Sequence, residues 1–256
     1  MTKYLEFKEL HSQTQPLIIG NVWNVQSAKV CEKLNFQAIG TSSAAIANSL
    51  GYEDGEQMPF LDLLFIVERI RKNVAIPLSV DIEFGYGKTA TEIATNIVSL
   101  EKLGVVGINI EDSFLENGER KLKEGLQFSQ LLQETKNILT QQEISIFINV
   151  RCDAFLLNIP NALQIASERI LMYEKAGADG IFLPCITQES DISKIILQIK
   201  TPLNVMCMPQ LPIFEKLKKI GVKRISAGNF LNNFAYTSLE KMTTKILTEQ
   251  SFNALF

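Results

Sequence analysis

LSVDIEFGYG, residues 78–87, reads as a short apolar strand that ends in two carboxylates, Asp81 and Glu83, and then turns through Gly85-Tyr86-Gly87. Two further stretches repeat the plan. VVGINIEDS (105–113) closes on Glu111 and Asp112, and IFINVRCDA (146–154) closes on Arg151 and Asp153. Ionised groups are rarely buried unless they are paired or bind a metal, so apolar runs that finish in acids make poor core. They suit the carboxyl ends of parallel strands at the mouth of a barrel, where oxygen ligands favour Mg2+.

Short apolar runs alternate with longer amphipathic ones along the whole chain. The predicted strands are Leu17–Gly20, Ala38–Ser42, Leu78–Ile82, Val105–Ile110, Ile144–Arg151, Gly180–Leu183, Leu203–Cys207 and Arg224–Ala227. The predicted helices between and after them are Val25–Leu34, Phe60–Asn73, Thr89–Leu103, Leu122–Thr140, Ala162–Ala176, Glu189–Gln198, Leu211–Ile220 and Leu231–Leu247. Leu103-Gly104, Ala176-Gly177 and Ile220-Gly221 read as helix C-caps, and Pro77 and Pro202 stand just before strands, where a missing N–H is tolerated. Eight βα units with no linker or break in composition predict a closed (β/α)8 TIM-type barrel, a single domain over residues 1–256.

Composition narrows the function. Hydrophobic residues make up 46% of the 256 and charged residues 21%, with a net charge of −3 and a pI near 5.4. No Lys/Arg block stands out, which argues against nucleic acid or an anionic membrane as the main partner. Apolar stretches are too short for a membrane span, and MTKYLEFKELHSQTQ lacks the apolar core of a signal peptide, so a cytoplasmic location is expected. The four cysteines, Cys31, Cys152, Cys185 and Cys207, lack CxxC spacing and are expected to be buried free thiols. The only histidine, His11, lies on a polar N-terminal segment, away from any nucleophile. Proton transfer would therefore fall to carboxylates, Lys, Tyr, Cys or water.

Asp81 and Glu83, two apart on a strand, are expected on one face of the sheet, with Glu111 beside them from the next strand. Three converging carboxylates repel one another unless a cation lies between them. The alternative is ion pairing with basic residues around the rim. Arg151 stands opposite, placed either to clamp a carboxylate or phosphonate or to neutralise Glu111 or Asp153. Ser42, Ser43 and Ala44 offer small residues that either aim N–H groups at an oxyanion or pack closely. Thr41–Pro59, which carries Asp54, reads as a functional loop, and Glu116–Glu124 as a charged lid.

Taken together, these motifs resemble the isocitrate lyase/phosphoenolpyruvate mutase superfamily, over nearly the whole chain and in the family's order. The segment from Gly20 to Gly55 resembles the family's opening segment, VDIEFGYG its metal motif VDADTGYG, GINIEDS its G-x-x-IED, and NVRCDA its A-R-x-[DE]-A strand. PLNVM and GVKRISAG resemble its seventh and eighth strands. By position, the resemblance implies Asp81 as principal Mg2+ ligand (Mn2+ being the alternative ion), with Glu83 and Glu111 holding the metal directly or through water. Asp54 is the loop aspartate near metal-bound water and substrate. Ser42, Ser43 and Ala44 hold the pyruvyl carboxylate or enolate oxygen, and Arg151 contacts the substrate. It further implies a homo-oligomer, dimer or tetramer, with the C-terminal helix exchanged between neighbours.

Two departures stand out. The lyase branch carries a K-K-C-G-H gating loop after IED, whereas SFLENGERKLKEG here contains neither Cys nor His. The mutase K-x-N element is not in register either, so Asn117 receives no role. Glu83 replaces the usual Asp, one methylene longer. The resulting expectation is a Mg2+-dependent enzyme of the phosphoenolpyruvate mutase-like (phosphonomutase-like) branch, acting on a small 2-oxo acid or enolpyruvate. A C–C lyase or oxaloacetate decarboxylase is the alternative enzyme. A non-catalytic 2-oxo-acid-binding protein is the alternative of another class. A phosphate site at Ala227–Phe230 has only fold analogy behind it.

Overall fold

Alternation along the strands decides which side chains meet inside the molecule. In the computed structural model, which describes residues 2–256, β3 (Leu78–Asp81), β4 (Gly107–Glu111) and β7 (Phe147–Arg151) turn Leu78, Val80, Ile108, Ile110, Ile148 and Val150 toward the surrounding helices. The intervening positions, Ser79, Asp81, Asn109, Glu111, Asn149 and Arg151, face the barrel interior. A period of two therefore gives an apolar outer face and a polar lumen.

The closed barrel is completed by β1 (Leu17–Val22), β2 (Ala38–Thr41), β8 (Gly180–Leu183), β9 (Leu203–Met206) and β10 (Arg224–Ser226). All neighbours are parallel, and β1 pairs with both β2 and β10 to shut the ring. The eight predicted strands are all present. Seven of the helices between and after them, α2 (Val25–Lys33), α4 (Phe60–Arg71), α5 (Ala90–Lys102), α6 (Gly125–Gln141), α7 (Ala162–Lys175), α8 (Glu189–Ile196) and α9 (Phe214–Ile220), lie within a few residues of their predicted bounds. The longest, α10 (Phe230–Glu249), is also where it was expected. Gly104, Gly177 and Gly221 follow or cap their helices at φ of 83°, 99° and 105°, the left-handed geometry of a glycine stop.

Three elements were not read from the sequence. α1 (Lys3–Leu10) is capped by the Thr2 side chain and buries Phe7 and Leu10 beneath the barrel, where they join Leu17, Ile19, Ala38, Val106 and Phe147 in a cluster of their own. α3 (Ser43–Ser49) occupies part of the expected loop after β2. The expected lid is an ordered antiparallel hairpin of β5 (Ser113–Glu116) and β6 (Glu119–Leu122). Its two turn residues, Asn117 and Gly118, have φ of 53° and 81°, the left-handed pair of a type I′ turn.

His11 also needs correction. It is 4% exposed, stacked 4.2 Å from Phe147, with Nδ1 2.8 Å from the Phe7 carbonyl. Of the four free cysteines, Cys31 and Cys152 are buried, Cys185 is half-buried and Cys207 is exposed. Among the described residues, no helix is long and apolar enough to cross a membrane. α10 buries only Asn232 along its length and leaves Phe234 73% exposed. Beside its first turn, an apolar groove of about 710 Å3 opens over the β1–β10 seam, lined by Ile18, Phe36, Leu211, Ile213 and Leu231 among others.

Candidate active site

The carboxyl ends of the strands surround a cavity of about 210 Å3 lined by Ser42, Ser43, Ala44, Asp54, Asp81, Asn109 and Arg151, with Asn229 and Asn233 from the start of α10 at its edge. Six predicted site residues thus share one hollow: Ser42, Ser43, Ala44, Asp54, Asp81 and Arg151. Asp81 is the last residue of β3. Its carboxylate accepts from Ser43 Oγ at 3.3 Å and from the Glu83 amide at 3.2 Å. Burial raises its pKa, and the Arg151 charge opposes the rise.

Glu83 stays close enough to Asp81 and Asp54 to feel their charges, but it is not a strand residue. β3 ends at Asp81, and Glu83 sits on the turn beyond it at φ 49°. Its Oε2 accepts the Gly55 and Glu56 amides at 2.6 and 2.7 Å, and its Oε1 accepts Tyr86 Oη at 3.0 Å. Glu83 therefore ties down the loop that carries Asp54. Gly55 is required there: its φ is 97°, and a Cβ would lie 2.2 Å from Leu115 on the hairpin. Burial and the nearby charges of Asp54 and Asp81 push the Glu83 carboxyl up to about 7. Gly85-Tyr86-Gly87 is a turn whose Tyr86 amide donates to Glu56 at 2.6 Å.

Glu111, 1% exposed, is held between two guanidinium groups. Arg151 Nη1 lies 2.5 Å from Oε2, and Arg120 on β6 pairs with Oε1. Its pKa is still pushed up to about 8, because burial, with help from Asp153 and Asp81, outweighs both arginines. Arg151 also grips Asp153 through Nε at 2.5 Å and Nη2 at 3.2 Å, so its neutralising role is realised alongside its place in the cavity wall. Asp112 is structural: it accepts Tyr173 Oη at 2.7 Å, Arg169 Nη1 at 3.1 Å and the Asp153 amide at 2.9 Å.

No motif in the sequence singles out Arg120, yet it is central to the mouth. From the hairpin it reaches Glu111, Asp54 Oδ2 at 3.1 Å and Ser113 Oγ at 3.1 Å, with its guanidinium 5.1 Å from the Phe84 ring centre. The signal that could have found it is Asn117-Gly118, a two-residue hairpin turn that brings the next strand back over the mouth.

Among the described residues, no three Asp, Glu, His or Cys side chains converge closely enough to enclose a metal ion by themselves. The donor set nevertheless fits a hard divalent ion. Asp81 faces the cavity with only neutral hydrogen-bond donors on its oxygens, whereas both oxygens of Glu111 are paired with guanidinium groups. Mg2+ commonly takes one or two carboxylates and keeps several waters, which is the kind of site this cluster offers. On the other wall, the Ser42 hydroxyl caps α3 by accepting the Ala45 amide at 3.3 Å. The amides of Ser43 and Ala44, in the first turn, have no acceptor among the described residues.

Known proteins share this arrangement of chain. The sequence pattern of the family "Phosphoenolpyruvate phosphomutase" matches residues 7–247. A 2-methylisocitrate lyase from Shewanella oneidensis is 30% identical over 218 residues, covering 83% of this chain and 73% of its own. A crystal structure from Burkholderia cenocepacia J2315, provisionally named a phosphonomutase, has a TM-score of 0.88 at 31% identity and covers 94% of this chain and 99% of that one. A phosphonopyruvate hydrolase solved with oxalate and Mg2+ shares the fold, with a TM-score of 0.86 at 21% identity over 99% of this chain and 89% of that one.

Proposed function

Because the chain belongs to the phosphoenolpyruvate phosphomutase family, we propose that it is a Mg2+-dependent enzyme that makes or breaks a P–C or C–C bond of a small 2-oxo acid or enolpyruvate. Its family and relatives are mutases and lyases, and the chain is an enzyme of that type. The observation that carries the finer reading is the 210 Å3 cavity, which combines an acid wall at Asp54 and Asp81 with small residues at Ser42–Ala44. Its size suits a substrate of a few carbons. The phosphonopyruvate hydrolase with oxalate and Mg2+ supports the choice of ion and ligand class by analogy of fold.

Asp81 would hold the ion, while Asp54, Glu83 and Glu111 supply negative potential and acceptors for its water ligands. When bound, a divalent ion supplies positive charge to the keto oxygen on which enolate charge develops. The rest falls to the chain's own groups. The Ser43 and Ala44 amides are placed to donate to the substrate's carboxylate, and Arg151 adds positive charge opposite them. Glu83 keeps the Asp54 loop closed on the site through the Gly55 and Glu56 amides. Arg120 and the hairpin stand where the lyase branch has its Cys-bearing gate, so that cysteine's proton-transfer role has no counterpart at this position.

Turnover of phosphonopyruvate and of oxaloacetate, each with and without Mg2+, tests the reading. Mg2+-dependent isomerisation of phosphonopyruvate to phosphoenolpyruvate, or release of pyruvate from either substrate, supports it. Pyruvate from oxaloacetate alone selects the decarboxylase alternative over the mutase one. Inertness toward both substrates, together with oxalate binding indifferent to Mg2+, would leave a 2-oxo-acid-binding protein.

The assembly belongs to the same reading. α10 projects its apolar residues into solvent, while the groove at the β1–β10 seam, where the last helix of a barrel normally lies, is uncovered beyond Leu231. Exchange of α10 with a second copy covers both surfaces and makes the protein a homo-oligomer.

A further inference from the structure

Asn109 on the cavity wall ends a buried chain of carboxamides, Asn204, Asn149 and Asn109, whose orientation is fixed from both ends. At one end, Asn204 Nδ2 donates to the Val205 carbonyl at 2.8 Å, which turns Asn204 Oδ1 toward Asn149. Asn149 Nδ2 then donates to Asn204 Oδ1 at 3.1 Å and to Asn109 Oδ1 at 2.9 Å. At the other end, Arg224 places Nη2 3.3 Å from the same Asn109 oxygen. A guanidinium only donates, so the atom of Asn109 that faces it must be oxygen. Arg224 is 2% exposed and crosses the lumen beneath the cavity, and its Nε and Nη1 have no hydrogen-bond partner among the described residues. Such a buried cation is expensive to keep, which calls for a role beyond packing.

With Oδ1 occupied twice from below, Nδ2 of Asn109 is left for the cavity, which Asn109 lines next to its register partner Asp81. We propose that Asn109 is a substrate-binding residue, donating from Nδ2 to an oxygen of the bound 2-oxo acid, and that Arg224 is the positioning residue that keeps the amide turned that way. A donor on the cavity wall selects an acceptor on the ligand, and the carboxylate and keto oxygens of such acids are acceptors only. The inference rests on the reading of the cavity as a 2-oxo-acid site and adds to it a contact on β4, between the metal-side carboxylate and the polar lumen.

The test is a double-mutant cycle on the full chain, with oxalate binding in Mg2+ measured by calorimetry and Asp81→Ala as reference. Asn109→Ala is expected to weaken oxalate about tenfold, the cost of one hydrogen bond to a charged ligand. Arg224→Met should weaken it severalfold in the wild-type background and not at all in the Asn109→Ala background, with Arg224→Lys, which keeps a donor, recovering most of the loss. Wild-type affinity in Asn109→Ala, while Asp81→Ala abolishes binding, overturns the donor assignment and leaves the site reading intact. An Arg224→Met loss of equal size in both backgrounds overturns the positioning role. If Arg224→Met does not fold, Arg224→Lys measured in both backgrounds takes its place: a small loss that vanishes in Asn109→Ala supports the positioning role, and an equal loss in both overturns it. Failure of the wild-type chain to bind oxalate with Mg2+ sinks the site reading and this inference with it.

Discussion

Replacing His11 by phenylalanine isolates one titration at the base of the barrel. His11 lies in the cluster that closes the N-terminal end, stacked at 15° on Phe147 and edge-on to Phe7, with Nε2 buried and unpartnered. Burial, assisted by the Arg224 charge, pushes its pKa from the ordinary 6.5 down to about 3. The unfolded chain takes up this proton below about pH 6.5, whereas the folded chain resists until about pH 3. The histidine's contribution to stability is therefore intact above pH 6.5 and is lost progressively as the pH falls toward 3, at up to about 1.4 kcal/mol per pH unit. From pH 7.5 to 4.5 that amounts to about 2.7 kcal/mol, or roughly 5–10 °C in Tm for a chain of this size. His11→Phe keeps the ring stack but removes the proton site and one hydrogen bond to the Phe7 carbonyl. Urea unfolding of both proteins at pH 7.5 and pH 4.5 should show the difference in stability moving by about 2–3 kcal/mol in favour of the variant at acid pH. Parallel pH profiles would refute the reasoning, since they require a His11 that titrates alike in both states.

Three other perturbations probe the mouth and the assembly. Arg120→Met removes the cation bridging Glu111 and Asp54; stability without metal should fall by about 2–3 kcal/mol, while Mg2+ affinity, measured by calorimetry, rises about tenfold. Unchanged Mg2+ affinity would show that the guanidinium and the ion do not share those carboxylates. Glu83→Ala releases the Gly55 and Glu56 amides, so their hydrogen exchange should accelerate at least about tenfold and KM should rise, given about 1.5–3 kcal/mol per charge-assisted bond; unaltered exchange contradicts the tether. Phe234→Asp combined with Leu239→Asp on α10 should give the 28.7 kDa mass of one chain in light scattering, and an unchanged oligomer would exclude helix exchange through that face.

The barrel was legible because its strands are short apolar runs marked off by Gly104, Gly177, Gly221, Pro77 and Pro202, and because their outward faces repeat every second residue. At Glu83 the period runs out: the strand ends at Asp81, and a residue at φ 49° meets the Gly55 and Glu56 amides, partners that alternation does not name. α1 buries only Phe7 and Leu10 of its eight residues, too few for a periodic signal, and the burial of His11 depends on Phe147 from a distant strand. Asn117-Gly118 did carry the hairpin, but the partners of Arg120 were out of reach of sequence, since Asp54 lies 66 positions away. The lumen was half-written: Asn109, Asn149 and Asn204 stand at inward positions of their strands, yet only the structure links their amides to Arg224.

The most direct measurement is Mn2+ binding followed by electron paramagnetic resonance, in the wild-type chain and in Asp81→Ala. The account predicts one Mn2+ per chain, displaced by Mg2+, with affinity reduced about a hundredfold or more when the Asp81 carboxylate is gone. A wild-type chain that binds no Mn2+, or an Asp81→Ala chain that binds it equally well, would contradict the assignment of Asp81 as the residue that holds the ion.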